Sequence, residues 1–136
     1  MTPPAQAARR RILDEHAPVL EALETHADAV AETWDDDVVD DRALVVTPFR
    51  ASLEAAGVTA HLASVLVDAV SATGQTLSAR PVPAPPYVIV TSRGPVLRAT
   101  IDPGRLVIAL EVFEVVREPE TGYRRRDGLN LTISLE

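Results

Sequence analysis

The sequence predicts an α+β fold: an N-terminal helical layer packed on a four- or five-stranded antiparallel β-meander. Apolar residues recur with amphipathic helical spacing in the first half, and from Tyr87 onward the period of the pattern changes to two. The connections between the later strands are too short for crossover helices, so neighbouring strands should be antiparallel. A length of 136 residues suits one domain with one core. We expect a helical layer at 5–73, an edge strand and proline-rich connector at 74–86, and a sheet at 87–135.

The charge composition indicates the conditions in which the chain folds. It has 13 arginines, no lysine, and 20 aspartates and glutamates, for a net charge of −7. Such an excess of carboxylates is tolerated where salt screens their repulsion, and arginine suits fixed multidentate pairing. A GC-rich genome would also favour arginine codons over lysine codons, and the 20 alanines and 18 valines agree with that cause. We expect a salt-adapted cytoplasm, with both causes acting together.

The acidity belongs to one half of the chain. Residues 1–80 hold 6 arginines and 13 acidic residues, whereas residues 81–136 hold 7 of each. An anionic ligand is therefore better tolerated by the second half. The start of the chain lacks the apolar stretch of a secretion signal, and no segment approaches the roughly 20 apolar residues of a transmembrane helix. We expect a soluble cytoplasmic protein with no membrane partner.

The first predicted element is an amphipathic helical region over Ala5–Trp34. Pro18 has no N–H to donate, so it should either kink this helix or start a second one. His16 and His26 would lie about 15 Å apart along one helix, which is too far to share a metal ion. We expect both histidines to be structural.

The middle of the chain predicts an exposed acidic connection and two short helices. Asp35–Asp41 lacks the ligand spacing of an EF-hand loop, so we expect no metal site there. Thr47 and Pro48 suit the start of a helix over Phe49–Ala56, and Thr59 suits the cap of a helix over Ala60–Ala72. The second helix has no arginine, asparagine or glutamine for phosphates and base edges, so we expect no nucleic-acid binding.

The remaining elements are predicted strands, turns and a proline-rich connector. Gln75–Arg80 alternates weakly and predicts an edge strand, followed by an extended passage over Pro81–Pro86, which is either a stiff connector or a PxxP ligand. Strands are then predicted at Tyr87–Ser92, Pro95–Ile101, Arg105–Arg117 and Gly128–Leu135, joined by turns at Arg93-Gly94 and Asp102-Pro103-Gly104 and by a polar loop over Glu118–Asp127.

The segment from Pro83 to Arg98 supports a resemblance to a known group of proteins. It contains Pro-Pro-Tyr followed by Thr-Ser-Arg-Gly-Pro. The chain resembles a family of uncharacterised haloarchaeal proteins that carry a similar segment after an acidic helical region. The resemblance is firm over residues 75–117 and looser over the helices. It implies a salt-adapted habitat and this fold, and it implies no activity.

No catalytic motif stands out. The chain has no lysine or cysteine, which excludes Schiff-base and thiolate mechanisms, and it has no P-loop, GxGxxG, GxSxG or HExxH pattern. We expect no cofactor and no metal. Whether the chain is an enzyme stays open, with the absence of motifs favouring a non-enzymatic role.

The candidate binding residues are arginines on one face of the predicted sheet and a turn beside them. In regular strand geometry Arg98, Arg105 and Arg117 share a face with Phe113, which would supply apolar area for a partner. The turn Thr91–Gly94 combines hydroxyls, the Arg93 guanidinium and a free backbone N–H, which together favour an anion. The candidate ligand- or partner-binding residues are therefore Ser92, Arg93, Arg98, Arg105, Phe113 and Arg117.

Two functions from different classes follow. The first is a non-enzymatic interaction or ligand-binding module that self-associates or binds a protein partner. The alternative is a small enzyme or sensor that binds an anionic metabolite at the Arg-bearing face or at the Thr91–Gly94 turn. An interaction module should change its mass in solution with concentration, whereas a metabolite binder should gain thermal stability from small anions.

Overall fold

The computed structural model describes residues 2–102 and 104–136, and it confirms the predicted α+β fold. Helices precede a five-stranded antiparallel sheet in which the strand order is β1-β5-β4-β3-β2. The helices are α1 (Pro4–Glu15), α2 (Ala17–Ala31), α3 (Ala43–Ala55) and α4 (Val58–Ala72), and the strands are β1 (Val38–Val39), β2 (Val88–Val90), β3 (Pro95–Thr100), β4 (Arg105–Val116) and β5 (Gly122–Leu135).

Pro18 starts a second helix, the second of the two outcomes predicted for it. His16 leaves the helical conformation at φ −124° and separates α1 from α2. Pro18 then lies in the first turn of α2, where the missing N–H would have had no partner within the helix.

Helix α3 begins earlier than the sequence predicted and contains Pro48 in its interior. The Asp41 carboxylate accepts a hydrogen bond from the Ala43 N–H at 2.9 Å, which supports the earlier start. Pro48 cannot donate to the carbonyl of Leu44, and the indole N–H of Trp34 donates to that carbonyl at 3.1 Å instead. The proline is therefore accommodated because its orphaned acceptor has another donor.

Helix α4 begins at Val58, so Thr59 lies inside the helix and does not cap it. Gly57 holds the cap position at φ +75°, a conformation that favours glycine. Gly74 follows the last turn of the helix at φ +86°.

The fifth strand is not the one the sequence predicted. Residues 75–80 form no strand, and Pro81–Pro86 turns where an extended passage was expected, since the Ala84 carbonyl accepts from the N–H groups of Tyr87 and Val88. The additional strand is β1, inside the acidic connection, which pairs with β5 through Val39 and Tyr123. A two-residue strand between aspartates has no alternating pattern to reveal it.

The hairpin between β4 and β5 is also longer than predicted. The expected polar loop at Glu118–Asp127 is part strand, because β5 begins at Gly122. A Cβ at Gly122 would lie 2.6 Å from the Val38 side chain, so glycine allows β1 to approach. The turn predicted at Asp102-Pro103-Gly104 includes Pro103, which lies outside the described residues.

A β-bulge in β4 changes which side chains face the core. The pairing with β5 shifts between Glu111 and Phe113, and the N–H groups of Val112 and Phe113 both donate to the carbonyl of Arg93, at 2.8 and 3.0 Å. Gly94 packs on this irregularity, since a Cβ there would lie 2.1 Å from the Leu110 carbonyl oxygen. Consecutive Val112 and Phe113 therefore both point inward.

The prediction that Phe113 lies on the Arg-bearing face is wrong for this reason. Its side chain is fully buried, and its ring packs edge-on against Phe49 at a centroid distance of 5.2 Å. Trp34 lies against it at 5.9 Å. Phe113 is the centre of an aromatic cluster between the sheet and the helices.

The helices cover the inner face of the sheet, which carries the buried strand residues Leu97, Leu106, Ile108, Leu110, Val112 and Phe113. Arg125 also points inward and joins β5 to α2 through Asp28 at 2.9 Å and Glu24 at 3.4 Å. Among the described residues, no single helix is long and apolar enough to cross a membrane; α3 and α4 would suffice only as a pair, and they meet at 83°.

Candidate functional site

The outer face of the sheet, opposite the helices, is left uncovered by the described chain. Its centre is a strip of half-buried apolar side chains: Ile89, Val96, Val107 and Ala109. Strand pairing makes this strip continuous, because Val96 lies opposite both Ile89 and Ala109. Outward residues around the strip are polar or charged, namely Arg98, Thr100, Arg105, Glu111, Asn130, Thr132 and Ser134.

Arg93, Arg98 and Arg105 lie on or next to this face. The bulge reverses the alternation of β4 before Arg117, so strand register no longer places Arg117 on it, and that part of the prediction is wrong. The arginines do not converge on one point. Arg98 is exposed beside the strip, opposite Val107. Arg105 begins β4, and Arg117 follows the other end of the same strand. At about 3.3 Å per residue these two positions are roughly 40 Å apart. The arrangement suits a broad contact better than a small ligand held by several guanidinium groups.

Arg93 takes part in a polar network on the outer face. Its guanidinium lies 3.8 Å from the carboxylate of Glu111, and that carboxylate accepts hydrogen bonds from Asn130 at 3.1 Å and Thr132 at 3.4 Å. Glu111 is thus held by three side chains, one from the Thr91–Gly94 turn and two from β5. The network fixes the position of Arg93 while neutralising part of its charge.

In the Thr91–Gly94 turn, the backbone N–H groups of Arg93 and Gly94 are bonded within the turn itself. The Gly94 N–H donates to the Thr91 carbonyl at 3.1 Å and lies 3.3 Å from the Thr91 hydroxyl, and the Arg93 N–H donates to the same hydroxyl at 3.2 Å. Ser92 is half-buried between them. Two of the N–H donors that an anion could use are therefore already bonded to Thr91.

Two further arginines of the outer face, Arg124 and Arg126, lie where the sequence predicted a loop. Arg124 donates to the Glu114 carboxylate at 2.5 Å, and Arg126 lies 3.9 Å from the same group. Both positions had been assigned to a loop, where strand alternation does not apply. Tyr123, Arg125 and Asp127 alternate with these two arginines, so neither face of the segment shows the apolar pattern that would have revealed a strand.

A groove that the sequence did not predict lies at the end of α2. This groove of about 590 Å³ has an apolar floor formed by Trp34, Val38, Val39 and Leu44. Its rim carries the carboxylates of Asp35, Asp36, Asp40, Glu118 and Glu120, and none of the described residues that line it is basic. In the described part of the chain, no three acidic or histidine side chains are grouped so as to hold a metal ion.

The histidines link helices to one another. His16 hydrogen-bonds the carboxylate of Asp68 on α4 at 2.7 Å, and Arg11 donates to the same group at 2.6 Å. Burial raises the pKa of Asp68, but the hydrogen bonds from His16 and Arg11 outweigh it and leave the pKa below its usual value of 3.8. His26 hydrogen-bonds Ser52 on α3. These contacts tie α1 and the α1–α2 junction to α4, and α2 to α3.

These features define an α+β protein whose helical layer covers one face of an antiparallel sheet and leaves an arginine-bearing face open. The chain belongs to the family described as Domain of unknown function (DUF7988), whose model matches residues 6–136. No curated protein and no solved structure matched the chain significantly.

Proposed function

We propose that this protein is a non-enzymatic interaction module that binds an acidic surface of a partner protein through the outer face of its sheet. The observation that carries the proposal is that the helices pack on the inner face only, while the outer face keeps an apolar strip bordered by arginines. Protein interfaces commonly combine a desolvated apolar centre with arginine around it.

The chemistry of the border favours a partner that presents carboxylates. Arg98 and Arg105 are exposed, and the structure gives them no ion pair among the described residues. The Arg124–Glu114 and Arg93–Glu111 pairs lie on the same face and would exchange or share a carboxylate with a partner. Guanidinium groups bind carboxylates in a bidentate geometry, which retains directionality when salt weakens simple attraction.

The proposed working environment is a salt-adapted, haloarchaeal-type cytoplasm. It is supported by the net charge of −7, the complete absence of lysine, and the concentration of acidic residues in the helical half. In molar salt the screening length falls to about 3 Å, so contacts that depend on shape and direct pairing outlast long-range attraction. An apolar strip bordered by arginines is suited to that regime.

A sensor or small enzyme that binds an anionic metabolite is the less supported alternative. It requires several cationic groups around one point, and the arginines of the outer face are spread along the sheet. In the turn that would have held the anion, the N–H groups of Arg93 and Gly94 also already bond to Thr91.

The test is co-purification in molar KCl from cells of the source organism, followed by binding measurements with the purified partner. Val107→Glu introduces a charge into the strip, and Val67→Glu, at an exposed valine of α4, is the matched control. We expect Val107→Glu and Arg98→Glu to weaken binding at least tenfold, equal to about 1.4 kcal/mol, and Val67→Glu to leave it unchanged. Equal binding by all variants would show that the outer face is not the site. A rise in thermal stability with small anions, lost in Arg98→Glu, would favour the metabolite alternative.

A further inference from the structure

The free edge of the sheet along β5 offers a second interaction surface, distinct from the outer face. The β1 strand pairs only with Arg124 and Tyr123, so the C-terminal part of β5, residues 129–135, has a strand on one side only among the described residues. Arg105 and Glu136 exchange backbone N–H···O=C hydrogen bonds, and from this pair onward every second residue of β5 bonds to β4. Even-numbered residues of this part of β5 therefore bond to β4, and the N–H and C=O groups of odd-numbered residues point away from the sheet.

Helix side chains occupy only the beginning of this edge. The Leu129 N–H donates to the carboxylate of Glu24 at 3.0 Å, and Arg9 donates to the Leu131 carbonyl. Beyond these two contacts, the structure shows no described partner for the outward groups of Ile133 and Leu135. The open stretch runs from the Leu131 N–H to Leu135, and Ile133 is its midpoint.

This edge lacks the features that usually prevent strands from pairing between molecules. Natural edge strands are interrupted by charges, proline or bulges, or are very short. Residues 129–135 contain none of these, although 24% of the chain is charged. The opposite edge of the sheet is protected, because β2 has three residues and follows Pro85 and Pro86. Ile133 and Leu135 also face the core side yet remain half-exposed at this end.

We propose that two copies of this chain pair antiparallel through this edge, with Ile133 on the two-fold axis. In that arrangement Ile133 bonds to Ile133 of the second copy, and Leu131 bonds to Leu135. A two-fold interface must be self-complementary, and an uncharged strand with outward groups centred on one residue meets that requirement. A second copy is the occupant because antiparallel pairing of this segment with itself places apolar side chains next to apolar side chains. On the core side, Leu131, Ile133 and Leu135 of one copy would lie beside Leu135, Ile133 and Leu131 of the other. The two sheets become continuous, and the two outer faces lie side by side. This inference does not depend on the proposed function of the outer face.

The first experiment measures mass by sedimentation equilibrium in molar KCl. The wild type should be dimeric, with a dimer fraction that depends on concentration. Ile133→Pro removes an outward N–H that makes no bond within the monomer, so it should give a folded monomer with unchanged far-UV circular dichroism. Val67→Glu, at an exposed position of α4 outside the sheet, should remain dimeric. A wild type that stays monomeric over the whole concentration range would overturn the proposal.

The second experiment uses the absence of cysteine from the chain. Directly opposed residues of a hydrogen-bonded antiparallel pair have Cα atoms about 5.5 Å apart, which is within the range that a disulfide spans. Ile133→Cys should therefore form a disulfide-linked dimer under mild oxidation, whereas Thr100→Cys, exposed on β3, should not. This variant decides the question if Ile133→Pro fails to fold. Equal cross-linking of both cysteine variants, or none at residue 133, would contradict the two-fold pairing.

Discussion

The substitution Phe113→Ala tests the β-bulge in β4, which turns this side chain toward the core. Without the bulge, Phe113 would alternate onto the outer face, and Phe113→Ala would remove an exposed ring at little cost. With it, the ring is fully buried against Phe49 and Trp34. Replacing a buried phenylalanine by alanine costs about 3–5 kcal/mol, because the transfer free energy and the cavity both count. For a chain of this length that loss lowers the melting temperature by roughly 10–20 °C.

The assay is thermal unfolding in molar KCl, followed by far-UV circular dichroism and by the fluorescence of Trp34, the only tryptophan. Val107→Ala, on the outer face of the same strand, is the control and should cost no more than about 1 kcal/mol. The fluorescence of Trp34 in folded Phe113→Ala should also change, since the indole loses a neighbouring ring. If the two variants melt within a few degrees of each other, Phe113 is not in the core and the bulge assignment is refuted.

Three further predictions concern salt, the sheet and acid. Helical circular dichroism should fall below about 0.2 M KCl and recover at molar KCl, because the carboxylates of residues 14–41 repel one another when unscreened; a melting temperature independent of salt would contradict the proposed salt adaptation. Leu131→Asp should cost several kcal/mol or prevent folding, since Leu131 is 6% exposed, while Thr100→Asp, at an exposed outer-face position opposite Arg105, should be mild. The pKa of Asp68 is lower in the folded state than its unfolded value of 3.8, so the ionised carboxylate stabilises the fold above pH 3.8. This stabilisation is lost as the pH falls through the folded-state pKa. Asp68→Asn should therefore destabilise the protein at pH 7, and the difference from wild type should shrink below pH 3.8; a constant difference would exclude the linkage with His16 and Arg11.

The features of the fold that depend on local sequence patterns were predictable. The helical half, the antiparallel meander and the alternation of the last strand follow from apolar periodicity, which reports which side of an element is buried. The break between α1 and α2 follows from Pro18, whose effect on the backbone is local. The charge asymmetry was also visible, and the structure places most of the acidic residues in the helical layer and its connections.

The candidate site was predicted in part. Arg98 and Arg105 lie on the open face as expected. Arg124 and Arg126 were missed because the extension of β5 to Gly122 depends on pairing with β4 and β1, which lie far away in the sequence. The groove around Trp34 was missed for a related reason, since it is formed by three separate segments of the chain.

The sequence by itself determined the class of fold, the order of its elements and the side of the last strand that faces the core, because these depend on the spacing of apolar residues along the chain. Only the tertiary structure decided where Phe113 points and why Pro48 is tolerated within a helix. The Arg93 carbonyl accepts two consecutive N–H groups of β4 and so reverses the alternation that follows. The Trp34 indole likewise donates to the carbonyl that Pro48 leaves unpaired. In both cases a polar backbone group is satisfied by a residue distant in sequence, and local periodicity holds no information about such a partner.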